Sequence, residues 1–330
     1  FRPRWRPKLT TSLITGVTGQ DGFYLASDLV ARGVRVVGTT RTLDGAAERL
    51  GPELAGRIEL VQWDLVDQNV LTDLLSSLQP TTFYNFAAFT SGELMDRNPD
   101  RVTDINGVAV LRMLEAIRHT DPAIRFCQAS SSEVFAASGV SCQDENTPRV
   151  PRSVYGAAKT YADNVVRLYR EKYDLFACSA YLFNHESPRR GEGFVTQKIV
   201  RAAVRIKLGK QDTLALGNLS AARDWGFAGD VARALRLMLE GEGLRDYVVA
   251  TGTAHTVQDF CELAFSSVGL DYRDHVTVDS RHYRADEPVS IVGNIGRARA
   301  ELDWSPRVSF PEMIAMMIDH EMATSGERTQ

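Results

Sequence analysis

Over residues 1–183 short apolar runs alternate with amphipathic stretches of helical period. Apolar and β-branched runs predict strands over 12–15, 35–40, 58–61, 82–86, 124–128 and 176–183. Hydrophobic positions three and four apart predict helices over 23–31, 68–78, 104–119 and 153–173. A regular strand–helix rhythm of this kind predicts an α/β, doubly wound parallel sheet with helices on both faces. After residue 183 the rhythm loosens into loops carrying Pro and Gly and separate helices over 195–208, 231–239, 257–268 and 311–322. That change predicts a smaller, mostly C-terminal lobe. The expected division is 1–183, with 224–255 returning to it, against 184–223 and 256–330; no internal repeat or low-complexity tract is visible.

The first strand runs into Gly16-Val17-Thr18-Gly19-Gln20-Asp21-Gly22, and a helix follows. Glycines at this spacing let the chain turn sharply, approach a pyrophosphate closely and aim the free N–H groups of a helix N-terminus at it. A glycine triplet alone is weak evidence, but a strand before it and a helix after it make this a dinucleotide site of Rossmann type. The second strand closes on Arg41, where an NAD site usually carries Asp or Glu for the ribose hydroxyls. A guanidinium there can pair with a 2′-phosphate, which favours NADP over NAD, with NAD as the alternative.

Tyr155 and Lys159 are four residues apart in the 153–173 helix, so they share a face, where an ammonium can lower the pKa of a phenol. Alone, such a pair is ordinarily a surface tyrosine and a solvated lysine. Here it follows Ser130-Ser131-Ser132-Glu133, which offers hydroxyls and a carboxylate. Ligands of doubly wound sheets bind beyond the carboxyl ends of the strands, where residues 16–22, Arg41, Asp64, 85–88 and 130–133 are all predicted to lie.

The chain has 330 residues, 44% hydrophobic, enough for one large or two coupled domains, and its net charge of −4 argues against nucleic acid as a partner. Arg2, Arg4, Arg6 and Lys8 form a short basic stripe interrupted by proline, which reads as a solvated tail. Four cysteines, Cys127, Cys142, Cys178 and Cys261, show no ligand spacing and are expected as free thiols. No metal site is expected from the six scattered histidines. Without an apolar run of membrane-spanning length, the chain is expected to be soluble and cytoplasmic; because it opens on Phe1, an upstream segment stays open.

The matching stretches Thr15-Gly-Val-Thr-Gly-Gln-Asp-Gly22, Gln128-Ala-Ser-Ser-Ser-Glu133, Tyr155-Gly-Ala-Ala-Lys159, Leu182-Phe-Asn-His-Glu-Ser-Pro-Arg-Arg-Gly191, Leu216-Gly-Asn-Leu, Arg223-Asp-Trp-Gly226 and Val249-Ala-Thr-Gly252 resemble the GDP-mannose 4,6-dehydratase family of extended short-chain dehydrogenases/reductases. The glycine loop and the Tyr-Lys pair occur widely in that superfamily; the Asn-His-Glu-Ser-Pro-Arg-Arg-Gly and Arg-Asp-Trp-Gly runs are narrower and carry the likeness, which extends from about Leu9 to about Met322. The resemblance implies a catalytic set of Ser131, Glu133, Tyr155 and Lys159. Tyr155 would deprotonate the C4 hydroxyl as hydride leaves for NADP, Glu133 would remove the C5 proton that the new ketone acidifies, and water would leave from C6. Returned hydride then completes a 4-keto-6-deoxy sugar. Ser131 would hold the C4 oxygen.

The cofactor residues so implied are Gly16, Thr18, Gly19, Gln20, Asp21, Gly22, Arg41, Asp64, Leu65, Phe86, Ala87, Ala88, Tyr155, Lys159, Leu182, Asn184 and His185, with Trp63-Asp64 fitting an adenine contact. For the GDP-sugar they are Thr90, Ser131, Glu133, Asn184, Val195, Lys198, Leu216, Gly217, Arg223, Arg284 and Glu287. Lys198, Arg223 and Arg284 suit a diphosphate, and Glu287 suits the donors of guanine. His185 reads as a structural hydrogen-bonder rather than a base.

Departures from the family pattern are Ser131 for Thr, Phe89-Thr90-Ser91-Gly92 for a segment beginning Gln-Ser, Ala136 for Gly, Val154 for Pro, and a short loop after Arg41. That loop lacks an Arg and a Ser that in the family bind NADP across a tetramer interface, so both homodimer and homotetramer stay open. Alternative readings are a dehydratase or 4-epimerase of another nucleotide sugar, such as a GDP-heptose or another GDP-hexose, and a dinucleotide-sensing regulator. Sensors commonly lose the Tyr or the Lys, and both are present here.

Overall fold

Leu13 and Ile14 are neighbours in one strand, both fully buried, yet they belong to different hydrophobic cores. Phe83 and Tyr84, and Phe126 and Cys127, divide in the same way, because successive side chains of a strand point to opposite faces. A sheet apolar on both faces needs helices on both. In the computed structural model, which describes residues 10–90, 95, 97–279, 281 and 291–327, it has them.

Seven strands, all parallel, form the sheet in the edge-to-edge order Tyr247–Val249, Ala177–Leu182, Arg125–Ala129, Thr82–Asn85, Thr11–Thr15, Arg35–Thr40, Glu59–Gln62. The first core lies under the helices Gln20–Ala31 and Ala228–Glu240; the second lies under Gln68–Leu78, Ala109–Thr120 and Val154–Tyr173. Chain order reverses between Thr11–Thr15 and Thr82–Asn85, which opens a crevice at their carboxyl ends. A third core joins the helices Val195–Lys207, Val257–Ser267 and Phe310–Glu327, with Trp225, Phe260 and Phe310 in ring contact. Residues 228–250 pack on the sheet. So do Ile291, Ile295, Ala298 and Trp304, which the sequence division assigned to the smaller lobe.

Several elements differ from their sequence expectation for local reasons. A helix over Ala46–Leu54 was not predicted, because it contains Gly51 at φ 69° and Pro52 and is kinked there. The helix expected from 104 begins at Pro99 and passes through a π-helical turn at Asp104–Val108 before continuing as Ala109–Thr120. That turn carries the buried Asn106, which accepts from the Phe89 N–H at 2.9 Å and donates to the Phe89 carbonyl at 3.0 Å. The glycine-loop helix starts at Gln20, one turn before the first apolar position that marked it. Arg2, Arg4, Arg6 and Lys8 lie outside the described residues.

Trp304 anchors the C-terminal segment to the sheet: it is 1% exposed and its indole donates to the Asp230 carbonyl at 3.0 Å. Trp304→Ala is expected to cost about 3–5 kcal/mol, as buried aromatic truncations do. Urea unfolding checks this, and a loss under about 1 kcal/mol would place Trp304 outside the core.

Candidate active site

The glycine loop is held open to a ligand by its own backbone. Gly16 adopts φ +67°, and a Cβ there would lie 3.0 Å from the Ala87 nitrogen. A Cβ on Gly22 would lie 2.5 Å from the Gly16 carbonyl oxygen. Gly19 begins the Gln20–Ala31 helix and no side chain caps that end, so its first N–H groups face the crevice beyond the sheet. These features fit the pyrophosphate of a dinucleotide.

A chain of buried polar side chains ties the loop to the Val154–Tyr173 helix. The Thr15 hydroxyl donates to Asn85 Oδ1 at 2.6 Å and accepts from the Ala87 N–H at 3.0 Å. Asn85 Nδ2 donates to Gln128 Oε1 at 2.7 Å, and Gln128 Nε2 to the Ala129 carbonyl at 2.8 Å. Lys159 Nζ reaches that same carbonyl at 2.7 Å. Thr15, Asn85 and Gln128 are each 2% exposed or less. Thr15 and Gln128 were not singled out as site residues, since their role rests on strands 70 and 43 residues apart becoming neighbours.

Ser153 caps the Val154–Tyr173 helix by accepting from the Gly156 N–H at 3.0 Å, which starts the helix one residue before Tyr155. Ser131 caps the short 3-10 turn Ser132–Phe135 and accepts from the Glu133 N–H at 3.2 Å. Gly156 lets helix and turn meet, since a Cβ there would lie 2.9 Å from the Glu133 carbonyl oxygen. Ser131, Glu133, Tyr155 and Lys159 thus converge. Burial pushes the Tyr155 phenol up to about 12; a hydrogen bond with Ser131 opposes this and the Glu133 charge adds to it. Desolvation is the largest cause of that rise, and Lys159 Nζ lies 5.7 Å from the phenol ring centroid. Burial also moves Lys159 down, to about 8, against the charge of Asp163.

Asp21 and His185 close the crevice from the other side. His185 Nε2 meets Asp21 Oδ1 at 2.9 Å and its Nδ1 meets the Phe183 carbonyl at 2.7 Å, while Gln20 donates to the His185 carbonyl at 3.1 Å and accepts from Ser187 at 2.7 Å. Burial alone would lower the His185 pKa, but the Asp21 carboxylate raises it overall; burial alone would raise Asp21, but His185 and Arg190 lower it. Arg190, which the sequence did not single out, sits 3.0 Å from Glu186 and its charge reaches both Asp21 and Tyr155. Asn184 and His185 follow Leu182 in the short strand Asn184–Glu186, which pairs with Trp225–Phe227.

The remaining expected residues fall on both sides of expectation. Arg41 is exposed at the carboxyl end of Arg35–Thr40, and Phe86, Ala87 and Ala88 follow Thr82–Asn85, with exposed Thr90 beyond them. Trp63 is 3% exposed in the second core, so an adenine contact from it is corrected; Asp64 is exposed and accepts weakly from the Val66 N–H, and Leu65 is buried. Val195 and Lys198 are exposed on the first turn of Val195–Lys207. Leu216 is 4% exposed in the third core, so its side chain is packing and Gly217 is the part of that pair nearer solvent. Arg223 is half-buried in Ala222–Arg223 and donates to its own strand's Ala222 carbonyl at 2.8 Å. Arg284 and Glu287, with Ser91 and Gly92, lie outside the described residues. Among the described residues no cluster of three His, Cys, Asp or Glu could hold a metal, no helix is long and apolar enough to cross a membrane, and the four thiols are free.

Residues 13–317 match the sequence profile of the family described as GDP-mannose 4,6 dehydratase. The chain belongs to the GDP-mannose 4,6-dehydratase family. Family members similar to it include GDP-mannose 4,6 dehydratase 1 of Arabidopsis thaliana, 42% identical over 94% of this chain and 89% of that protein. GDP-mannose 4,6 dehydratase of Homo sapiens is 39% identical over 93% and 90%. Among solved structures, UDP-glucose 4-epimerase of Thermotoga maritima superposes with a TM-score of 0.84 at 22% identity, over 96% of this chain and all of that one, and shows the shared fold.

The Asp21–His185 contact carries a pH dependence. With the His185 pKa raised, its contribution to stability is full below the unfolded value of 6.5 and is lost as pH rises through the folded value. With Asp21 lowered, its contribution is present above 3.8 and lost as pH falls through the folded value. Comparing melting temperatures of wild type and His185→Asn is expected to show the largest gap between these limits and a shrinking gap toward pH 9; a gap independent of pH would contradict an ionic pair.

Proposed function

We propose that this protein converts GDP-mannose to GDP-4-keto-6-deoxymannose with bound NADP as a recycled cofactor. The observation that carries this reading is the convergence of Ser131, Glu133 and Tyr155 beside the glycine loop, close enough that the Glu133 charge acts on the phenol. A simple dehydrogenase needs the Tyr-Lys pair and no carboxylate. A 4,6-dehydratase needs a base for C5, and Glu133 is the carboxylate assigned to it, since Asp21, whose charge also reaches the phenol, is engaged by His185.

When bound, NADP supplies a hydride acceptor for C4 and a donor for C6. The protein's own groups manage protons and position. Ser131 orients the C4 oxygen, Tyr155 takes its proton, and Lys159 is the cation that favours the phenolate as it forms. Glu133 then removes the C5 proton acidified by the neighbouring ketone and passes it to the C6 hydroxyl, which departs as water, and the proton held by Tyr155 goes to C5 as hydride adds at C6. Gly16, Thr18, Gly19, Gln20, Asp21 and Gly22 would hold the pyrophosphate, and Arg41 the 2′-phosphate. Lys198, Arg223 and Arg284 would take the diphosphate of the sugar nucleotide and Glu287 its guanine. Residues 1–183 and 224–255 form the dinucleotide part in this reading and the rest the sugar-nucleotide lobe. Exposed Tyr161, Leu168 and Tyr173 on the catalytic helix offer an apolar surface for a homodimer or homotetramer, acting in the cytoplasm.

Incubation with GDP-mannose and no added reductant is expected to yield a sugar nucleotide lighter by one water. Unchanged mass with inversion at C4 would instead indicate an epimerase, and no turnover of any GDP-sugar a sensor. Glu133→Gln is expected to slow water loss about 10²–10⁴-fold while reduced cofactor still accumulates, whereas Tyr155→Phe suppresses both. Equal water loss in wild type and Glu133→Gln would remove Glu133 from the mechanism. Arg41→Ala is expected to weaken NADP about tenfold and leave NAD unchanged, read by fluorescence titration, since only NADP offers it a phosphate.

A further inference from the structure

Tyr155, Lys159 and Asp163 follow one another at four-residue intervals on the Val154–Tyr173 helix, one stripe that enters the protein as it descends. Lys159 is 2% exposed and Asp163 4%. A carboxylate so deeply buried is costly unless it is paired, and the mechanism above makes no use of it. Its Oδ2 accepts from the Ser130 hydroxyl at 2.7 Å, while Oδ1 has no hydrogen-bond partner. Ser130 heads the run that carries Ser131 and Glu133. Lys159, one turn away, holds the carbonyl of Ala129, the residue before Ser130.

We propose that Asp163 is a positioning residue for the whole catalytic set, anchoring the 130–133 turn through Ser130 and holding Lys159 as an ammonium. This rests on the function proposed above and assigns Asp163 a part in it. The surroundings explain why the charge matters. From its own helix Asp163 faces Lys159; from Ala177–Leu182 it faces Ser179 and Tyr181; from the preceding loop it faces Arg149; and Asp246 approaches from before Tyr247–Val249. Arg149 is engaged by the Tyr181 hydroxyl, and Asp246 is held by Arg170 at 2.9 Å. Burial pushes the Asp163 carboxyl up to about 7, against the hydrogen bond from Ser130 and the neighbouring Ser179 hydroxyl, and the charge acting against the burial of Lys159 is that of Asp163. Loss of the carboxylate leaves the lysine with a carbonyl partner only, and it sheds its proton at lower pH.

The test compares kcat and KM for GDP-mannose against pH in wild type, Asp163→Asn, Asp163→Glu and Ser130→Ala. Asp163→Asn keeps the size of the side chain and an acceptor for Ser130 while removing the charge. Its alkaline limb is expected to move down by about one pH unit, with kcat at pH 8 reduced about tenfold and KM within twofold of wild type. Asp163→Glu is expected to restore the wild-type limb. Ser130→Ala unties the turn and removes the hydrogen bond that favours the carboxylate, so kcat is expected to fall about tenfold across the pH range. A limb for Asp163→Asn that superimposes on wild type overturns the electrostatic half, and full kcat in Ser130→Ala overturns the anchoring half. Should Asp163→Asn not fold, Ser130→Ala and Asp163→Glu still decide: reduced kcat at unchanged KM in the first with a wild-type limb in the second supports the proposal, and full kcat in the first overturns it. A wild-type protein that turns over no GDP-mannose would sink the functional reading instead, which keeps the two failures distinct.

Discussion

One buried hydrogen bond organises the site: the Lys159 ammonium on the Ala129 carbonyl. The lysine is almost completely removed from water, so the bond is made where no solvent competes for it and where losing it would strand a charge. It joins the helix that carries Tyr155 to the strand end that carries Ser131 and Glu133. Because the same carbonyl also receives Gln128, it links the catalytic helix through Asn85 and Thr15 to the glycine loop. The glycine loop and the residues proposed for proton transfer are therefore joined by one continuous set of bonds that spans three strands and a helix.

This arrangement gives the crevice two walls of different character. One is rigid: the strand ends and the Val154–Tyr173 helix, fixed by short bonds among buried groups. The other is the segment Asn184–Glu186, tied to the first turn of the glycine-loop helix by Asp21, Gln20, His185 and Ser187. It holds by charge and hydrogen bonds at the crevice edge, with Arg190 and Glu186 adjoining it. A sugar nucleotide lying between the walls would meet a fixed chemical face on one side and an ionic clasp on the other.

Much of this was legible along the chain because its causes are local. Strand alternation, helical period and the glycine spacing each act over a few residues, and the strands they predicted form one parallel sheet. The pairing of Tyr155 with Lys159 is likewise a property of a single helix. What went unread had a different origin. The Ala46–Leu54 helix is interrupted by Gly51 and Pro52, residues that ordinarily signal its absence, and the π-helical turn follows from where Asn106 must reach. Trp63 looked free for a ligand until a core closed over it.

The sequence by itself determined the architecture and the glycine loop, and it offered the candidate reacting groups, since each is written in residue type and short-range spacing. Only the tertiary structure decided how those groups are charged and which others support them. Burial, a property of the whole fold, pushes Tyr155 up and Lys159 down, against what their spacing alone suggests. Asp21 meets His185 across 164 positions and Ser130 meets Asp163 across 33, and neither contact exists until the sheet brings its strand ends together.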